Sequence, residues 1–150
     1  MSFDESKIDE IKFTKNYSKI AEDLIQFYIS ERKIYKSFEN IIIIMSVANR
    51  LNQFLVEAIN SSDTNTEVFT KINLLLKEKN FKGVNASSIV RETGIPRTTV
   101  IRICDQLVKK SILSKTENGG FSIGPKFREF NKDARVNIVK FFESIKNKYE

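Results

Sequence analysis

The sequence predicts a mainly α-helical chain that carries one small β-hairpin. Three observations lead there. The 150 residues include only 5 Gly and 2 Pro, too few turn formers for a many-stranded fold. Apolar residues recur at i, i+3, i+4 and i+7 over much of the chain, which places them on one side of a helix. One strong hairpin signal stands out, Asn118-Gly119-Gly120 between two short alternating runs. The length suits one domain, or a small domain with helical extensions. A hydrophobic fraction of 41% and a charged fraction of 29% are those of a globular chain.

Residues 1–12 mix charges with isolated Ile and predict a loosely docked arm. The run Tyr17, Ile20, Ala21, Leu24, Ile25, Tyr28 then predicts a first helix, capped by Thr14 or Asn16 and ending near Glu31-Arg32-Lys33. A second helix is expected over Lys36–Asn60. Its first half, with Phe38, Ile41, Ile42, Ile43, Ile44, Met45 and Val47, is apolar nearly all round and must be covered on every side. The monomer core or a partner subunit can supply that cover. The second half narrows to Leu51, Phe54, Leu55, Ala58 and Ile59.

Residues 61–65 read as a turn, and Thr64 with Glu67 forms a capping box for a helix reaching about Lys79. Asn85 or Ser87 can cap a short helix, Ser88–Thr93. Gly94 then suits a turn that needs positive φ, Ile95 plugs it, and Pro96 suits the next helix start. The helix Arg97–Lys110 should bury Val100, Ile103, Cys104 and Leu107. Residues 111–115 and 121–123 are the strands of the hairpin. A last helix is expected over 126–148. The domain plan is a helical region over 1–62, a central domain over 63–127 and a C-terminal helix over 128–150.

Several functions are disfavoured by composition. There is no His, and Cys104 is the single Cys, so Ser-His-Asp and Cys-His catalysis, His-containing zinc sites and an internal disulfide are excluded. No phosphate loop, carboxylate pair or metal cluster is recognisable, so neither an enzyme nor a cofactor is expected. The N-terminus lacks the charged and apolar regions of a signal peptide. The apolar run Ile41–Ala48 is shorter than the span of about 20 residues a membrane helix needs. The expectation is a cytoplasmic protein with no membrane contact.

Charge is unevenly spread. Residues 1–82 carry 12 Lys/Arg and 12 Asp/Glu, whereas 83–128 carry 8 and 3. A local positive field is what a polyanion-binding surface needs.

The run T-G-I-P-R-T-T-V-I-R-I-C-D-Q-L, then K-S-I-L, then G-G-F-S-I-G, resembles the winged helix-turn-helix DNA-binding domains of IclR-type and MarR-type bacterial transcriptional regulators. The resemblance covers about residues 66–127. Helices on both sides of it are closer to the MarR layout, although the wing tip offers Glu117 and Asn118 instead of the acidic-Arg pattern typical there. The resemblance implies a sequence-specific, double-stranded DNA-binding regulator. It implies a homodimer built by helices at 14–60 and 126–148, with room for a small-molecule effector. It also implies DNA contacts from Arg97, Thr98, Thr99, Ile101 and Arg102, with Lys115, Lys126 and Arg128 on phosphates. The reading surface narrows to the first two turns, Arg97 to Arg102.

Plainer readings stand beside these. Arg97 and Arg102 can be a solvated face, and Thr98 and Thr99 can cap a helix. Lys109 and Lys110 suit a helix C-terminus through its dipole, and Glu117 and Asn118 suit a turn. Tyr17, Tyr28 and Tyr35 can be packing residues or line a ligand pocket. A winged helix can also be a protein-binding or RNA-binding module without an operator.

Overall fold

The computed structural model describes residues 6, 9–77 and 82–149, and it is mainly helical with one two-stranded antiparallel hairpin. Helix α1 spans Glu10–Tyr35, because the Asp9 carboxylate caps it by accepting from the Lys12 N–H at 3.0 Å. It therefore begins well before Tyr17, where periodicity alone places the start, and Glu10 to Lys12 of the expected arm are helical. Helix α2, Phe38–Ala58, starts on Ser37, whose hydroxyl accepts from the Asn40 N–H. Helix α3, Asn65–Lys77, opens on the reciprocal Thr64/Glu67 capping box. Its expected end at Lys79 lies outside the described residues.

Asn85 caps α4, Ala86–Thr93, and Gly94 ends it at φ 72° and ψ 2°. Pro96 precedes α5, Arg97–Lys109. Strands β1, Leu113–Lys115, and β2, Phe121–Ile123, pair Leu113 with Ile123 and Lys115 with Phe121. The expected last helix is two, α6 at Phe127–Phe130 and α7 at Lys132–Tyr149. The second starts where the Arg135 N–H donates to the Asn131 carbonyl.

The chain divides into two compact units. The central unit is Ser37–Phe130, and the terminal unit joins the segments before and after it. Helix α2 thus folds with α3, α4, α5 and the hairpin, while α1 pairs with α7.

In the central unit α2 buries Ile41, Ile43, Ile44, Val47, Leu51 and Leu55. Ile89 of α4 and Val100, Ile103, Cys104 and Leu107 of α5 are buried in the same unit. Val84, Ile112, Leu113 and Phe121 complete this core, and Val84 pairs with Phe121 in an antiparallel bridge beside β2. Ser46 Oγ donates to the Glu92 carboxylate at 2.6 Å, a polar tie between α2 and α4. By length and composition α2 could cross a membrane. Its packing against α3, α4, α5 and β2 makes it the core helix of this unit.

In the terminal unit α1 and α7 run antiparallel. Asp23 accepts from Ser144, Phe27 stacks on Phe141 at 4.8 Å, and Asn137 donates to Glu31. Residue numbers rise along one helix as they fall along the other.

Two outcomes follow from this packing. Ile43→Ala removes a fully buried side chain and should cost about 2–5 kcal/mol in a urea unfolding curve. Cys104 is fully buried, and burial, with Asp105 nearby, pushes its thiol up to about 12. Iodoacetamide should therefore label Cys104 only after denaturation, and rapid labelling of the native chain would contradict the packing.

Candidate interaction surface

The residues expected to contact a polyanion lie on α5, on β1 and around the start of α6. Gly94 in the left-handed region turns the chain between α4 and α5, so that Val100, Ile103, Cys104 and Leu107 face the core. That orientation leaves Arg97, Thr98, Ile101 and Arg102 exposed, with Thr99 half-buried. Arg97 Nη1 donates to Ser87 Oγ at 2.6 Å, which ties the start of α5 back to α4. Lys115 lies 3.6 Å from Asp105 in an exposed ion pair. The Arg128 guanidinium stacks over Phe69 with 4.4 Å to the ring centroid, so it packs α6 against α3. Lys126 is exposed, and its N–H donates to the Ser111 carbonyl. The structure therefore groups Arg97, Thr98, Ile101 and Arg102 on one helix face and uses Lys115 and Arg128 in local contacts.

A second surface lies on the terminal unit. Helix α1 packs on α7 through the line of Ile20, Phe27 and Ile34, each half-buried, with Asp23, Ser30 and Glu31 on the same line. The apolar stripe from Tyr17 to Tyr28 that predicts this helix is partly exposed, with Tyr17 at 62% and Leu24 at 52%. Helix α1 has two apolar sides, and periodicity could not tell which one meets another helix. On α7, Val136, Val139 and Phe142 are also exposed. Phe27 and Ile34 carried the missed signal, since they continue from Ile20 at seven-residue, hence helical, spacing beside the stripe that was chosen.

Glu31 is 2% exposed and accepts from Asn137 Nδ2 at 3.3 Å. Burial raises its pKa, and the Asn137 hydrogen bond opposes that rise. Tyr35, one turn on, is pushed up to about 12 by burial and by the Glu31 charge.

No protein-family model matches the chain. No solved structure matches it either. Among curated proteins it is similar to the ATP synthase subunit delta of Buchnera aphidicola subsp. Baizongia pistaciae (strain Bp). The two are 31% identical over 86 residues, covering 57% of this chain and 44% of that protein. The chain thus spans less than half the length of the curated relative it matches.

This similarity corrects the expectation of a MarR-like or IclR-like DNA-binding transcriptional regulator, because it points to an ATP synthase subunit. Double-stranded DNA is withdrawn as the expected partner on the same finding. The expected homodimer is withdrawn with it. The helices assigned to that dimer have partners inside the chain, with α1 on α7 and α2 in the core of the central unit.

The Glu31 environment has a pH consequence. Its raised folded pKa means that the native state holds the proton more tightly than the unfolded chain does. Stability is then greatest at acid pH and falls as pH rises from the ordinary carboxyl value through the raised one. Glu31→Gln should stabilise the protein at neutral pH and flatten that fall in urea melts run across the window. A slope identical to wild type would rule out Glu31 as its source.

Proposed function

We propose that the chain is a non-catalytic, cytoplasmic subunit that takes part in the assembly of an ATP synthase. The observation that carries this reading is the 31% identity over 86 residues with an ATP synthase subunit delta.

Within this reading the central unit has the finer fold of a winged helix-turn-helix serving as a protein-contact module. The α4–Gly94–α5 turn, the hairpin after α5 and the bridge from Val84 to Phe121 support that assignment. The exposed face of Arg97 and Arg102 then meets an acidic surface of a neighbouring subunit. Charged rims of this kind steer association and fix orientation more than they add affinity.

The test is reconstitution of the full chain with purified ATP synthase from the same cells, followed by size-exclusion chromatography. Co-elution at micromolar concentration is expected. Arg97→Glu with Arg102→Glu should weaken it roughly tenfold, equivalent to about 1.4 kcal/mol. Elution of the chain alone, at low salt and at every concentration tried, would sink the proposal.

A further inference from the structure

We propose that the terminal unit binds an anionic lipid surface through one broad apolar face shared by α1 and α7. This inference stands apart from the assembly reading, because it rests on the geometry of the helix pair alone.

The contacts Asp23–Ser144, Phe27–Phe141 and Glu31–Asn137 fix the line along which each helix meets the other. Side chains advance by about 100° per residue along a helix. On α1, Ala21 and Leu24 lie about 90° round from the packed line. On α7, Ile138, Phe142 and Ile145 lie about 90° round from theirs in the same sense. In an antiparallel pair, equal offsets in the same sense fall on the same side. These residues therefore share one side of the helix pair, with Leu24 at 52% and Phe142 at 65% exposure as its crests. Beyond the end of α7, Tyr17 continues the same side and stacks on Phe13 at 5.6 Å.

The apolar surface is wider than the groove between the helices. Ile25 on the outer flank of α1 and Val139 on the outer flank of α7 are both exposed, at 56% each. One partner helix lying in the groove would leave both flanks in water. A fluid layer wraps crests and flanks together.

The charges on this side support the same occupant. Arg32 borders it on α1, and Arg135 and Lys146 border it on α7, all exposed. The carboxylate nearest its middle, Glu31, is buried and hydrogen-bonded to Asn137. The opposite side of the pair carries Lys19, Gln26, Lys33 and Lys140, with Val136 as its exposed apolar residue on α7. An apolar face with aromatic crests and a basic border is the pattern that places helices in the headgroup region of anionic membranes.

The experiment is co-sedimentation of the full chain with phosphatidylcholine vesicles, with and without phosphatidylglycerol, at low and high salt. Binding is expected only with phosphatidylglycerol and is expected to weaken with salt. Arg135→Glu and Lys146→Glu should each weaken it by roughly fivefold or more, the equivalent of about 1 kcal/mol for each cation lost. Leu24→Glu with Phe142→Glu should abolish it while circular dichroism and melting stay as in wild type, since both side chains are exposed. Failure to bind either vesicle, or equal binding to both, would overturn the proposal. So would a wild-type dimer that Leu24→Glu with Phe142→Glu turns into a monomer, because a second copy would then cover the face.

Discussion

The burial of α2 is the constraint on which the central unit depends. Its run from Ile41 to Val47 is too apolar to leave in water, and one flat partner cannot cover a helix on several sides. Three helices and a hairpin gather against it, and the buried residues of α4, α5 and the hairpin meet there. The Gly94 turn is set by the same requirement, since α4 and α5 must both present their apolar stripes to α2. The hairpin closes the remaining side through Leu113 and Phe121. At Gly124 an added Cβ would run into the Ser111 carbonyl oxygen, so the approach after β2 admits no side chain there.

The two units manage apolar surface differently. The central unit encloses a core around α2, but Phe38 and Met45 of the α2 half expected to be covered on every side stay exposed, as do Val56 and Leu74. The terminal unit has only two helices, and a pair can hide just the line along which they meet. Phe27 and Phe141 occupy that line, with Asp23, Ser144, Glu31 and Asn137 giving polar register on either side. What remains is an exposed apolar face on a chain similar to an ATP synthase subunit. The assembly reading comes from that similarity, and the lipid reading from this apolar face and the cations that border it.

Most of the fold was legible wherever a local interaction decides it. Capping by Asn85 and by Thr64 with Glu67, the positive φ at Gly94, the buried stripe of α5 and the hairpin turn each involve residues within a few positions of one another. The errors came where two local answers were equally good. The first helix offers an apolar stripe at Tyr17 and Leu24 and another at Phe27 and Ile34, and only contact with α7 selects between them. The last helix reads as continuous from 126, yet Phe127–Phe130 folds with the central unit and the segment after Asn131 with α1. The likeness to transcriptional regulators rested on turn and helix spacing. Such spacing describes how an α4–α5 pair folds and does not specify what its exposed face touches.

The sequence by itself determined the mainly helical class, the helix caps, the hairpin turn and the inward faces of α4 and α5. These depend on side chains and backbone groups close together along the chain. Only the tertiary structure decided that α1 pairs with α7, that α2 is a core helix of the central unit, and that Arg128 is held over Phe69. Those outcomes depend on residues far apart in the chain, where the free energy of covering one apolar face has to be weighed against that of covering another.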